Sequence, residues 1–569
     1  MFWSHNRLEE HMASERSHPL TPSPDGPGPS ARPALGDPVT GARRTTGTAM
    51  AEALAANGAD LAFGIPGTHN LELYRGMAAC GIRHVVTRHE QGAGYAADGY
   101  ARVTGRPGLV VTTSGPGLMN AMAAMGTAYA DSVPLLVISP GVPTGRERAG
   151  YGWLHEMKDQ RAAADGAVAR SVRPGTPAQA VEAIHETFAR WAVERPRPVH
   201  IEVPLDVLEA GWDGEVPRPW RPPCPPAPSP RAVAEALGLL AGAASPVIVA
   251  GGGAAGAAAP LRRVAEAVGA PVVTTTAGKG VLDEDHPLAV GAFPGLPAAR
   301  DLMREADVLL VVGSELGDAE VPEGLAPRGA VIRIDLDPAQ SHKNVRATLP
   351  VHADAGEALT ALAAGLAPSS AARRAGERRA AGVRARCLEQ AAVHGGRWRA
   401  VQDALRDALP RDIVVVGDSS QVSYLGTTPF WRFPAPRAYL MPVGYSTLGY
   451  AVPAAIGARL ADPARPVVAL LGDGAFMFSA QELVTGAELG LPLPVVILDN
   501  HGFAEIRQNM LDRGIAPYAV DLARPDFAAL AQAMGCHGVR AADAAEAAKQ
   551  AAVALTADRP TVIVMEVGP

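Results

Sequence analysis

Between Thr45 and about Asp206, short unbroken apolar runs alternate with longer stretches in which apolar residues return every three or four positions. Short runs fit strands buried on both faces, and the wider spacing fits helices with one face turned inward. The pattern predicts a helix over Gly47–Asn57, a strand over Leu61–Gly64, a helix over Leu71–Ala79, a strand over His84–Arg88 and a helix over Gln91–Thr104. A strand over Leu109–Thr113, a helix over Met119–Asp131 and a strand over Pro134–Ser139 continue it. Such alternation predicts a parallel sheet covered by helices.

The alternation then recurs twice. Strands are expected at Val247–Ala250, Val272–Thr275, Val308–Val312 and Val331–Asp335, and later at Ile413–Val416 and Pro466–Leu471, with a further apolar run at Leu493–Leu498. The Pro-rich stretch Val216–Pro230 reads as a linker, and the Ala/Arg/Glu-rich stretch Ala367–Val393 as a helical connector. The expected class is α/β, with three doubly wound parallel-sheet domains over 45–215, 231–363 and 398–569 and a connector over 364–397. Ser17–Pro38 is rich in Pro, Ser and Gly without apolar periodicity, so 1–44 read as a disordered tail. A translation start at Met50, or residues added in cloning, is the alternative for that segment.

Composition narrows the possible partners. With 569 residues, 47% apolar content and a net charge of −7, the chain suits a soluble multi-domain protein and lacks the basic excess that nucleic acid requires. Its longest apolar runs are of strand length, so no membrane span is expected. The four cysteines, Cys80, Cys224, Cys387 and Cys536, have no metal-ligand spacing and read as free thiols of a reducing compartment, with cytoplasm as the default. No basic segment leads into an apolar core near the start, so a secretory signal is not supported.

Candidate chemistry begins at Gly472-Asp473-Gly474, which is expected on the tight turn after the strand Pro466–Leu471 and before a helix over Ser479–Glu488. Glycines let backbone N–H groups approach phosphate oxygens, and a helix N-terminus favours negative charge. Asp473, Asn500 and the Gly502 carbonyl supply hard oxygen ligands of the kind magnesium takes when diphosphate oxygens and water complete its octahedron. Gly251-Gly252-Gly253 also follows a strand, but without the full G-x-G-x-x-G fingerprint it reads as a turn that needs glycine before it reads as a nucleotide site.

The stretch GDGAFMFSAQELVTGAELGLPLPVVILDNHGFAEI resembles the thiamine-diphosphate enzymes of the acetolactate synthase and 2-oxo acid decarboxylase superfamily. Two further passages carry the resemblance in family order: VVTRHEQGAGYAADGYAR over 85–102, and TSGPG over 113–117 with AYADSVP over 128–134. It covers Thr45 to Val567 and implies thiamine diphosphate and Mg2+ as cofactors. By resemblance, Glu90 hydrogen-bonds N1′ of the cofactor's aminopyrimidine and drives the proton transfers at its 4′ nitrogen. Leu448 would be the apolar wedge that folds the cofactor into a V, with backbone groups of Ser446 and Leu448 at the pyrimidine. Ser419, Ser420 and Gln421 would meet the diphosphate from one side and Gly472 to Ala475 from the other. The alternatives are a helix-start acid at Glu90, ordinary core at Leu448 and a capped helix start at Ser419.

His69, in the loop GIPGTHN, is placed beside the reacting carbon by related carboligases and decarboxylases, or else is a structural histidine. Glu505 would protonate an enamine intermediate or hold a cationic substrate end, or else pair with Arg507. His155, Glu156 and Asp159 either line the entrance or cap a helix. Acetolactate synthases carry T-G-Q, F-Q-E and F-D-D-R segments, where this chain has Ser139–Pro143, Leu154-His155-Glu156 and Gly313–Asp318. The departures argue against bound FAD and against acetolactate chemistry. GIPGTHNLELYRG, WLHEMKDQ and GSELGDAE are closer to 5-guanidino-2-oxopentanoate decarboxylases, so decarboxylation of a 2-oxo acid is the expected reaction. Carboligation and a non-catalytic relative are the alternatives. The resemblance also implies a homodimer with sites at its interface, or a homotetramer built from such dimers.

Overall fold

The computed structural model describes residues 44–322 and 324–568, so the tail expected over 1–44 lies, but for Arg44, outside the described residues. Three six-stranded sheets follow one another along the chain. Every strand pairing within them is parallel.

The first sheet runs Arg83–Val86, Leu61–Gly64, Gly108–Val111, Leu135–Gly141, Val199–Pro204, Arg170–Val172 from edge to edge. The third runs Tyr439–Leu440, Val414–Gly417, Val467–Gly472, Pro494–Asp499, Thr561–Glu566, His537–Ala541. Numbered within each block, both have the order 2-1-3-4-6-5. The central sheet differs. Leu349–His352, Ala330–Asp335, Val308–Val312, Val247–Ala250, Val272–Thr274 and Ala289–Gly291 give the order 6-5-4-1-2-3, the doubly wound order of dinucleotide-binding folds.

Apolar runs form these strands because both faces are covered. In the first sheet Ala62, Leu109, Val111, Leu136 and Ile138 enter one core, and Leu61, Phe63, Val110, Leu135 and Val137 enter the other. The third sheet divides alternate residues in the same way, with Val414, Ala469 and Ile497 on one side and Val415, Leu470 and Val496 on the other.

Several boundaries differ from the sequence expectation. The connector helix does not end at Val393 but runs from Ser370 to Ala408, so it enters the third block as one element. Gly472 is the last residue of its strand, and Asp473–Phe476 is a single helical turn. The longer helix starts at Glu482 rather than Ser479. Helix dipole therefore contributes little beside Asp473, and individual backbone groups carry that wall. Gly251 packs on the Gly313 turn so closely that a Cβ would lie 2.2 Å from the Gly313 carbonyl oxygen, which is reason enough for glycine there.

The first and third blocks meet where the helix Glu90–Thr104 crosses the helix Ala451–Ala461. A Cβ on Gly457 would fall 1.8 Å from Ala96 O, and one on Gly99 would fall 2.1 Å from Ala454 O. The two backbones touch, and only glycine permits it.

Candidate active site

In the third sheet, Gly417 pairs with Leu470, and Gly472 with Leu498. That register brings three loops together at the carboxyl ends of adjacent strands, the crevice where open α/β sheets bind ligands. A cavity of about 820 Å3 opens there, lined by Ser419, Gln421, Ser446, Leu448, Asp473 and Asn500 among others. Gly472, Gly474, Ala475, Gly502 and Glu505 share its wall. The Ser420 hydroxyl accepts from Gly472 N at 3.1 Å, tying two of the loops, and Gln421 Nε2 donates to Glu505 Oε2 at 2.9 Å.

Asp473 organises the third loop. Its carboxylate accepts from Asn500 N at 3.2 Å and from Gly502 N at 2.8 Å. Gly502 has φ +125°, and a Cβ there would meet Val520 O at 2.4 Å, so the loop requires glycine on both counts. The Asn500 side-chain oxygen faces Asp473 Oδ1 at 3.0 Å and the Gly502 carbonyl oxygen at 3.1 Å. Three oxygens converging without a proton between them repel. Either the amide turns to present its N–H groups, or a small hard cation lies among them. Burial raises the Asp473 carboxyl pKa and nearby Asp499 adds to the effect, so a cation there would relieve a real electrostatic cost. The residues present thus fit a magnesium-bridged diphosphate.

The segment that carries Leu448 is held by Asp418. Asp418 is fully buried and accepts from Gly449 N at 3.1 Å and Ala451 N at 2.8 Å, while burial pushes its pKa up to about 6. Ser446 sits in the left-handed region, φ 51°, with its hydroxyl 2.6 Å from that of Ser419. Tyr95, from the first block, reaches Thr447 Oγ1 at 2.8 Å. The loop that carries Leu448 is therefore fixed by both sheets.

The remaining candidates lie on the first block. Glu90 is the first residue of the helix Glu90–Thr104, 7% exposed, and its Oε2 accepts from Asn120 Nδ2 at 3.0 Å. His89 caps that helix by accepting from Gln91 N. Glu482 reaches across from the third block, and its carboxylate accepts from Arg88 N and His89 N, both at 3.0 Å. Burial pushes Glu482 up to about 7. His69 Nδ1 lies 2.7 Å from Ser114 Oγ, and Ser114 Oγ lies 3.4 Å from His155 Nδ1. The two imidazoles are edge to face with centroids 5.4 Å apart, and burial followed by the charge of His155 holds His69 below its ordinary pKa.

His69, Ser114 and His155 line a second cavity of about 420 Å3. Glu156 instead ties its own loop by accepting from Gly150, Gly152 and Trp153 N–H groups. Asp159 caps the helix Gln160–Asp165 and pairs with Arg148. Glu505 pairs with Gln421, and Arg507 with Asp521 instead. Glu90 lines neither cavity. One chain thus gathers the diphosphate-side candidates in one place and holds Glu90 and His69 elsewhere. Asn120, Ser114, Asp418 and Glu482 were given no role in the sequence reading, since their partners lie far off in the chain.

Three family descriptions match the chain: thiamine pyrophosphate enzyme N-terminal TPP binding domain over 44–163, central domain over 233–362, and C-terminal TPP binding domain over 418–565. A probable 2-ketoarginine decarboxylase of Pseudomonas aeruginosa is 43% identical over 502 residues, covering 86% of this chain and 88% of the relative. A probable acetolactate synthase large subunit of Methanocaldococcus jannaschii is 32% identical, covering 92% of this chain and 91% of its own. The acetolactate synthase large subunit of Corynebacterium glutamicum is also 32% identical, with 98% and 90% covered. With two TPP-binding sheets of one topology, a cavity at the strand ends that suits a diphosphate, and relatives along nearly its whole length, the chain belongs to the thiamine-diphosphate-dependent decarboxylase and acetolactate synthase family of enzymes.

Proposed function

We propose that this enzyme decarboxylates a 2-oxo acid with thiamine diphosphate held through Mg2+, and that the substrate is 5-guanidino-2-oxopentanoate, which is 2-ketoarginine. The observation that carries the reading is the gathering of Asp473, Asn500 and the Gly502 carbonyl around one cavity at the strand ends, with Asp473 holding the Asn500 and Gly502 N–H groups, beside the uncharged donors of Ser419 and Gln421. The substrate follows the 43% identical relative's name, and the departures from acetolactate synthase wording agree with it.

Thiamine diphosphate, when bound, supplies a carbon nucleophile for the 2-oxo group and an electron sink for the carbon that loses CO2. Asp473, Asn500 and the Gly502 carbonyl would hold the metal, and Ser419, Ser420 and Gln421 would donate to phosphate oxygens. Leu448 presents an apolar surface from a loop that Asp418 fixes. Glu90, oriented by Asn120, would share a proton with N1′ of the aminopyrimidine. His69, whose pKa burial lowers, orients the reacting carboxylate, and Glu505 delivers the proton that replaces it. The balance is one 2-oxo acid and one proton to one aldehyde and one CO2.

These groups lie apart in a single chain, and Val86, Met119, Met477 and Phe478 beside them are apolar side chains left between 41% and 48% exposed. A two-fold dimer that joins Glu90 of one copy to Asp473 of the other completes the site and covers those side chains. A tetramer of such dimers is the larger assembly, and the reducing cytoplasm is the compartment its four free cysteines suit. Among the described residues no helix is long and apolar enough to cross a membrane. The test is product analysis with thiamine diphosphate, Mg2+ and a panel of 2-oxo acids. Equal amounts of CO2 and 4-guanidinobutanal, abolished by a chelator, are expected from the guanidino acid. Acetolactate from pyruvate with no guanidino aldehyde would establish the carboligase instead.

A further inference from the structure

The cavity with the metal loop has a carboxylate on the wall built by the central block, where the mechanism above uses none. Glu320 follows the strand Val308–Val312 and lines the same cavity as Leu448, Asp473 and Glu505. Its Oε1 accepts from Thr276 N at 2.6 Å, and the side chains of Thr275 and Thr276 add further hydrogen bonds. None of the leading influences on it is a cation: burial raises its pKa most, Asp131 raises it further, and it reaches about 7 despite the Thr275 and Thr276 hydrogen bonds. A carboxyl group kept this way binds an arriving cation with more gain than an acid already paired.

The other acids are committed. Glu147 and Glu202 pair with Arg173, and Asp159 with Arg148, in the second cavity. Asp473 faces the metal loop. Glu505 stands on the helix Ala504–Asp512 directly after that loop, bonded to Gln421, and is already used for the proton that replaces CO2. Glu320 is the carboxylate contributed from a different block, next to the apolar wall of Phe293 and Leu296 along which a methylene chain would lie.

We propose that Glu320 receives the cationic end of the substrate, with the guanidinium seated on its carboxylate by paired N–H bonds. This deepens the decarboxylase reading, on which the identity of the cation rests. The three methylenes and nitrogen between the 2-oxo carbon and the guanidinium carbon would lie along that apolar wall.

Calorimetry on the holoenzyme with thiamine diphosphate and Mg2+ tests the assignment without turnover. The probes are 4-guanidinobutanoate and its neutral isostere 4-ureidobutanoate. The parent should prefer the guanidino compound, and Glu320→Gln, which keeps the acceptor for Thr276 N, should reduce that preference about ten- to a hundredfold. Glu320→Asp, a shorter carboxylate, should keep part of it and serves if the glutamine variant does not fold. A parent without preference, a Gln variant that keeps it, or its loss only in Glu505→Gln would overturn the assignment. Turnover is read separately. Glu320-dependent preference in an enzyme that decarboxylates no 2-oxo acid would sink the decarboxylase reading and leave the site, and decarboxylation with preference intact in Glu320→Gln would do the reverse.

Discussion

Glu90 is a buried acid whose side chain, among the described residues, accepts from the neutral Asn120 and forms no ion pair. That is the setting for a group meant to exchange a proton with a ligand. Glu90→Gln keeps the volume and a hydrogen-bonding end but cannot exchange that proton. Exchange of the thiazolium C2 proton into deuterated water, read by NMR after acid quench, should slow by about a hundredfold to ten-thousandfold. Thiamine diphosphate retention should change little by comparison. Unchanged exchange would remove Glu90 from this role. Its candidacy was legible because the surrounding text RHEQGAGYAADGYAR is specific. Its supports were not, since Asn120 is 30 positions away and Glu482 reaches Arg88 from 394 away, contacts made only by the fold.

At the scale of elements, the apolar pattern exposed strands buried on both faces, such as Val247–Ala250 and Val308–Val312, and also the edge strand Arg83–Val86. Val199–Pro204 escaped because its sequence, VHIEVP, carries His200 and Glu202 inward. His200 is satisfied there by Ser139 and Ser171, and Glu202 by Arg173, partners that periodicity cannot show. Arg170–Val172 and His537–Ala541 were missed as edge strands, paired on one side only and less apolar. The helix crossing between the first and third blocks gives a sharp element-level test. Gly457→Ala puts a methyl group into the Ala96 carbonyl, which cannot move without its helix, so stability should fall by about 1–3 kcal/mol or more. Gly382→Ala, in the long helix Ser370–Ala408 with open space around it, should be neutral or stabilising by up to about 1 kcal/mol. Denaturant midpoints of the two variants read the contrast. Equal shifts would mean the crossing is looser than described.

For the whole molecule, the first and third sheets share one strand order and each presents its candidate residues at the carboxyl ends of its strands. The class, the three sheets and the family were legible from sequence, because the motifs that mark them are local. The division of the site was not legible from residue patterns, because it depends on which surfaces meet. Two inactive variants measure it directly. Glu90→Gln lacks the proton-sharing acid and Asp473→Ala lacks the metal ligand, so each alone should be nearly inactive. If the site forms between copies, a dimer of one variant with the other contains one site with both Glu90 and Asp473 and one with neither. Co-expression at equal levels should then restore about one quarter of parental decarboxylase activity, the share of intact sites under random pairing. Co-expressed protein, shown by differential tags to contain mixed dimers, that stays as inactive as the separate variants would contradict the account and place the whole site within a single chain.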